Sequence, residues 1–265
     1  MKKVKESIVQ GHLLEAKQRL ESLLKDDPLS LDLRSIYVEL LCVIGELDKA
    51  DQQLDMMVRQ HPDCLMGAVN LRQLIRAQTA RQDFYQGGMT ATLFGKVDAS
   101  FEALLALHLA MREGDFIAAE RAAEQLESLR QSAQFELNGE TVQEVRDLDD
   151  SLGGYLELLG TDGKFYLAKF SEIESLELQP AKSIIDMAWR RVNISIVDGP
   201  QGEAFLPVCY IASDSELSRL GRETDWRQHG DHLVTGIGQK MLLVDEQALP
   251  LTQLRQWHAV SVVSH

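Results

Sequence analysis

A spacing of 34 residues organises the first part of the chain: Gly11 recurs as Gly45, Leu13 as Leu47, Ala16 as Ala50, Leu20 as Leu54, Leu24 as Val58 and Pro28 as Pro62. That is the length of a tetratricopeptide unit, two antiparallel helices joined by a tight turn. Glycine allows the turn, alanine lets the two backbones approach, leucines fill the seam and proline stops the second helix. Apolar periodicity predicts the second helices of two units over 13–25 and 47–60, with a helix over 31–44 between them and a short opening helix over 2–10. The inward face of the 31–44 helix is Leu33, Ile36, Tyr37, Leu40 and Leu41. A third copy of the turn, from Gly114 to Ala119, follows an apolar helix over 101–111 and lies two periods plus one beyond Gly45. A helix over 65–81 fits between them, and the stretch 84–89, Phe-Tyr-Gln-Gly-Gly-Met, reads as an irregular insertion. Residues 1–133 are therefore expected to form a tetratricopeptide-like α-α superhelix, a fold whose concave face commonly holds a peptide or helix of another protein.

From Gln134 the texture changes to short runs of β-branched and aromatic residues separated by turn signals, and a second domain, 134–265, is expected to begin there. Residues 155–159 and 164–170 flank Gly160-Thr161-Asp162-Gly163, a hairpin signal; 190–197 and 203–208 flank a second one at 198–202. Further strands are expected over 173–178, 240–244 and 258–263, and a short helix over 213–220 opened by a Ser or Asp cap. The fold class is α+β, multidomain, with mostly antiparallel strands in the second half.

The formal net charge is −14, from 27 basic and 41 acidic side chains. Its field opposes a polyphosphate backbone or an anionic lipid surface, so neither nucleic acid nor membrane is an expected partner. No run approaches the roughly 18 apolar residues of a membrane span, and the start shows no signal-peptide pattern, which places the protein in the cytoplasm as an expectation. Acidic residues gather over 136–150, where Glu136, Glu140, Glu144, Asp147, Asp149 and Asp150 face the single Arg146. A solvated connecting face is the favoured reading there, and a docking surface for a basic segment the sharper one.

Candidate chemistry is sparse. Cys42, Cys64 and Cys209 are scattered in apolar contexts and suggest neither disulfides nor zinc. Asp147, Asp149 and Ser151 have the alternating oxygens of a calcium loop, but Gly153 stands one place late and Leu158 occupies the position of the closing glutamate. Asp225, His229, Asp231 and His232 are the densest group of possible metal ligands, in what reads as a loop, and they define a metal-dependent hydrolase as the enzymatic alternative. Gly236-Ile237-Gly238-Gln239-Lys240 lacks the spacing of a phosphate loop and reads as a turn before a strand. Asn193-Ile194-Ser195 matches a glycosylation acceptor by chance, and no nucleophile elbow or zinc-protease helix occurs. Neither catalytic residues nor a cofactor are expected.

The order of landmarks resembles the ImpE or SciE-type (TagJ-like) family of type VI secretion accessory proteins over nearly the whole chain. The landmarks are Gly11-His12-Leu13-Leu14-Glu15-Ala16, the run 40–50 from Leu40 to Ala50, Asp147-Leu148-Asp149-Asp150-Ser151-Leu152-Gly153, Glu223-Thr224-Asp225-Trp226, and Gly236-Ile237-Gly238-Gln239. The first two indicate a tetratricopeptide-like repeat; the last three, in this order, are specific. Gly154 stands where the family pattern has proline. The resemblance implies a non-enzymatic cytoplasmic adaptor. It would bind a helix near the N-terminus of the small subunit of the contractile sheath, and assist sheath assembly or its coupling to the ATPase that recycles it. A generic tetratricopeptide scaffold for another protein is the second reading. The motif residues Asp149, Asp150, Ser151, Gly153, Glu223, Thr224, Asp225, Trp226, Gly236, Gly238 and Gln239 are candidates either for fixing their loops or for touching the partner.

Overall fold

The computed structural model describes residues 2–131 and 134–260. Its helices are α1 (Lys2–Gln10), α2 (Leu13–Asp26), α3 (Leu31–Ile44), α4 (Leu47–Gln60), α5 (Leu65–Tyr85), α6 (Ala99–Glu113), α7 (Phe116–Ser128) and the single turn α8 (Glu216–Arg219). The repeat does what its residue types dictate. Gly11, Gly45 and Gly114 have φ of +89°, +90° and +74°, a region that suits only glycine well, and each ends a helix. Five residues on, Ala16, Ala50 and Ala119 are fully buried where the paired helices cross. The side chains of Asp98 and Asp115 cap α6 and α7 by accepting from the amides of Phe101 and Ala118.

The expected insertion at 84–89 begins later than the sequence reading has it. Phe84 and Tyr85 still belong to α5, because Phe84 is buried against His108 and Phe165, and the chain turns only at Gly87 and Gly88. It then enters β1 (Ala91–Leu93), which pairs in parallel with β6 (Phe165–Lys169). A strand from the helical half thus completes one edge of the main sheet.

That sheet has nine strands in the order β1-β6-β5-β9-β8-β7-β14-β2-β3. The remaining members are β2 (Phe135–Leu137), β3 (Glu140–Val142), β5 (Tyr155–Gly160), β7 (Ile173–Leu178), β8 (Trp189–Ile196), β9 (Gln201–Pro207) and β14 (Gln256–Ala259). Both expected hairpins form, with Tyr155 opposite Lys169 in one and Val192 opposite Ala204 in the other. Of the strand expected over 258–263, the part beyond 260 lies outside the described residues, as do 132–133, where the domain boundary was placed. Three short strands, β4 (Val145–Asp147), β12 (Met241–Val244) and β13 (Gln247–Pro250), form a second sheet, and β10 (Thr224–His229) with β11 (Leu233–Gly238) a two-stranded one.

Every residue of β5 is buried, because both faces of the strand are covered. Tyr155 and Leu159 point into a core shared with the helices, which also holds Leu104, Leu107, Trp189 and Phe205; Leu156 and Leu158 point into a second core with Ile194, Leu206 and Trp257. Each such side chain contributes about 1.5–3 kcal/mol on leaving water, so the shared core is a strong joint between helices and sheet.

Candidate functional site

The joint contains a chain of buried charges. Glu157, in the middle of β5, receives Arg81 of α5 in a two-point ion pair, Nε to Oε1 at 2.7 Å and Nη2 to Oε2 at 2.9 Å. It also receives the Tyr85 hydroxyl at 2.9 Å and Lys240 Nζ at 2.7 Å. Lys240 reaches on to Asp147 Oδ2 at 3.3 Å, and Asp147 Oδ1 accepts from the Tyr210 hydroxyl at 2.8 Å. Arg81 adds a bond to the Cys209 carbonyl at 3.0 Å. Burial by itself raises the Glu157 carboxyl, but Arg81 and Lys240 overcome it and hold the group at about 2. For Asp147 burial prevails over Lys240 and its carboxyl is raised. Both carboxylate oxygens of Glu157 are occupied by fixed donors, so it has no lone pair free to act as a base, and the network reads as a bolt between helix and sheet.

Around this bolt the motif residues bond to one another. Asp149 accepts from the Ser151 amide and hydroxyl through Oδ1, at 2.8 and 2.6 Å, and from the Gly236 amide through Oδ2 at 2.9 Å. Burial and the neighbouring Asp147 charge push its carboxyl up to about 6. Asp150 accepts from the Val234 amide and from Arg146. Gly153 closes the turn at φ +51° and returns its carbonyl to the Asp147 amide. The turn therefore grips β11 from one side. On the other side the Glu223 carbonyl accepts from the Gln239 amide, Thr224 Oγ1 donates to the Gln239 carbonyl, and the Gln239 amide group reaches Thr252. Ser215 Oγ donates to Glu223. A Cβ on Gly236 would lie 2.2 Å from the Tyr210 ring, and one on Gly238, whose φ is +83°, 2.0 Å from the Glu223 carbonyl. Asp225 accepts from the Trp226 amide, and Trp226 is exposed with its ring 6.0 Å from Tyr210. Ten of the eleven motif residues thus hold backbone or one another; Glu223, Asp225 and Trp226 are exposed, and Trp226 is the large apolar side chain among these three.

Three sequence expectations are corrected here. The acidic stretch is not a uniformly solvated face: Glu136, Glu140 and Glu144 are exposed, but Asp147 and Asp149 are buried because backbone amides and Lys240 satisfy them. Residues 225–232 are not a loop but the β10–β11 hairpin, and Gly236 to Gly238 lie within β11 and not in a turn. On that hairpin Asp225 pairs with Ile237 and His229 with Leu233, four residues apart along one strand. His229 Nε2 instead sits 2.9 Å from Thr235 Oγ1, and the amides of Asp231 and His232 donate to Glu120 of α7. Among the described residues no group of three His, Cys, Asp or Glu side chains is placed to hold a metal ion. The ligand set required by the hydrolase reading is not assembled.

Arg81, Tyr85, Glu157, Tyr210 and Lys240 escape the sequence reading. Glu157 alone carried a signal, a charge set in the apolar run Tyr-Leu-Glu-Leu-Leu-Gly, where solvation is not available and a partner is required.

The first helices of the repeat pairs face the sheet. Glu39 of α3 accepts from the amides of Ile184 and Ile185, and Leu74 and Ile75 of α5 belong to the shared core. These contacts fill part of the space between the helices and the sheet, and beside them lies a cleft of about 930 Å³. One wall is Gly67, Asn70, Leu71 and Leu74, a stripe along α5 at helical spacing; the other is formed by Pro180, Ile185 and Phe205. Glu39, Asp186, Arg191 and Glu203 stand among them together with Thr161, Gln179, Lys182, Ser183 and Asn193, so the cleft has a mixed polar and apolar lining in which Leu71, Leu74, Ile185 and Phe205 are the large apolar side chains.

The ImpE protein family model matches residues 139–258 and a tetratricopeptide repeat model residues 8–73. The chain is 23% identical over 249 residues to the type VI secretion system accessory component TagJ of Pseudomonas aeruginosa, spanning 93% of this chain and 87% of that protein. The crystal structure of protein VPA1032 from Vibrio parahaemolyticus superposes with a TM-score of 0.95 at 36% identity, over 98% of both chains.

Proposed function

The chain belongs to the ImpE family of TagJ-like type VI secretion accessory components, and from that premise we propose that it is a non-enzymatic cytoplasmic adaptor that captures an amphipathic helix near the N-terminus of the small sheath subunit. Capture would assist sheath assembly or its coupling to the recycling ATPase. The cleft between α5 and the sheet carries this reading. It sets Leu71 and Leu74 of α5 opposite Ile185 and Phe205 among polar and charged groups that could bond a partner's polar face, and no other part of the described chain covers it. Burying a few hundred Å² of apolar surface at about 25 cal/mol per Å² is enough for micromolar affinity after the costs of association. No helix of the described residues is long and apolar enough to cross a membrane. The buried charges support an adaptor over an enzyme, since their acceptors are spent on internal bonds.

A calorimetric titration with a synthetic peptide covering the sheath subunit's N-terminal helix tests the proposal. Binding with a Kd of about 1–50 μM is expected. Absence of heat at several hundred micromolar peptide, about ten times that range, would leave only the generic scaffold reading.

A further inference from the structure

The β10–β11 hairpin has one covered edge and one open edge. Its register sets the Gln239 amide on the Glu223 carbonyl, so residues 223, 225, 227 and 229 bond to β11 and the backbone groups of Thr224, Trp226 and Gln228 turn outward. The outward amides of β11 are all taken: Val234 donates to Asp150, Gly236 to Asp149 and Gly238 to Ser213 Oγ. The Val234 and Gly238 carbonyls accept from the amides of Asp150 and Tyr210. On β10 the Trp226 amide donates to the neighbouring Asp225 side chain at 2.8 Å, and no other strand of the described chain pairs with this edge. The strand pairs regularly with β11 along its length and contains no proline, and Asp225, Trp226, Arg227 and Gln228 are exposed. A regular, open edge is a template for another strand.

We propose that β10 pairs with β10 of a second copy of this chain, antiparallel about a two-fold axis at Trp226, so that two hairpins join into one sheet. The charges select both the partner and the register. The pairing that uses every outward group sets Thr224 opposite Gln228 and Trp226 opposite its own counterpart, and it brings Asp225 of each copy opposite Arg227 of the other. Those two residues fall at the closely spaced positions between hydrogen-bonded pairs, where opposite charges attract most. Sliding the strands by two residues sets Asp225 against Asp225 in one direction and Arg227 against Arg227 in the other, and like charges oppose both. On pairing, the Trp226 amide turns from Asp225 to the carbonyl across the axis, and the carboxylate is released to Arg227 of the other copy. Trp226, 39% exposed, meets its counterpart at the axis as an aromatic cross-strand pair. Asp225 and Arg227 offset each other within β10, so the net charge of −14 is not concentrated at this edge. No residue of β10 lines the α5 cleft, so the pairing stands apart from helix capture.

Sedimentation of the full chain at about 1–200 μM tests the pairing, and a monomer–dimer equilibrium with a Kd of about 1–50 μM is expected. Asp225→Arg and Arg227→Asp change exposed side chains, and each should weaken association at least about tenfold while leaving the monomer folded. Mixing the two variants, or combining both changes in one chain, restores opposite charges across the axis and should bring association back to within about threefold of the parent. Hydrogen exchange of the unaltered chain is the readout where a charge variant lowers thermal stability: the amides of Thr224, Trp226 and Gln228 should slow as concentration rises through the Kd. Four results would each overturn the proposal. One is a monomer throughout the concentration range, which would leave the edge to an extended segment of another protein. The others are a dimer that neither charge reversal weakens, weakened single variants that do not recover on mixing or combining, and a dimer in which those three amides exchange as they do in the monomer.

Discussion

Glu157 is the side chain whose loss the fold should tolerate least. Glu157→Gln keeps the shape but leaves Arg81 and Lys240 buried with too little negative charge, and breaking a buried pair from one side costs about 3–5 kcal/mol. Urea unfolding should show that loss; a change within error would mean the network is not a bolt. His108 gives a pH signature. Its Nε2 is buried and meets no hydrogen-bond partner among the described residues, and its ring lies against those of Phe84 and Tyr85. Burial lowers its pKa from 6.5 to about 4 against the pull of Glu157. With the folded value below the unfolded one, its contribution is present above about 6.5 and is lost as pH falls towards 4. Asp149, raised to about 6, runs the other way: its contribution is full below about 4 and lost as pH rises through 6. Between pH 4 and 6 the two oppose each other. His108→Phe removes one arm, so its stability relative to the parent should rise by about 2 kcal/mol between pH 7 and pH 4.5 in denaturant titrations. A difference independent of pH would contradict the buried neutral imidazole.

At the scale of elements the β10–β11 hairpin depends on two places where nothing but hydrogen fits. Gly236→Ala and Gly238→Ala should each destabilise by more than about 2 kcal/mol and release amide protection in β10 and β11, because the added carbon meets the Tyr210 ring or the Glu223 backbone. Gly202→Ala in β9, where a Cβ meets nothing within 4 Å, should change stability by less than about 1 kcal/mol. Equal effects at all three sites would show that the hairpin is not clamped. The contrast also explains what was legible in sequence. The repeat helices and the hairpins at 155–169 and 189–207 announce themselves through period and turn residues. Strands β2, β3 and β4 are three residues each, too short for a period, and β10, Thr-Asp-Trp-Arg-Gln-His, lacks apolar alternation because its residues are mostly exposed. The motif residues were visible as a pattern, but their partners lie 84 to 93 positions away in Asp150–Val234 and Asp147–Lys240. Only the fold supplies those pairings.

For the whole molecule, the helical and sheet halves are joined by more than a core. Arg222 caps the α1 carbonyls of Ile8 and Val9, Glu216 accepts from the Leu13 amide, Tyr155 donates to Ser100, and Lys169 pairs with Asp98. At the cleft itself Glu39 accepts from the amides of Ile184 and Ile185, and farther along α5 Arg81 pairs with Glu157, so a partner helix would meet a groove already shaped and pay little to order it. Gly67 of α5 lines that cleft, and a Cβ there meets nothing within 4 Å. Gly67→Trp should therefore fold normally while filling the groove. Titrating the sheath subunit's N-terminal peptide against this variant and the parent tests the account most directly. Micromolar binding to the parent, weakened at least about tenfold in an equally stable Gly67→Trp protein, is the expected result; equal affinity for the two would contradict it.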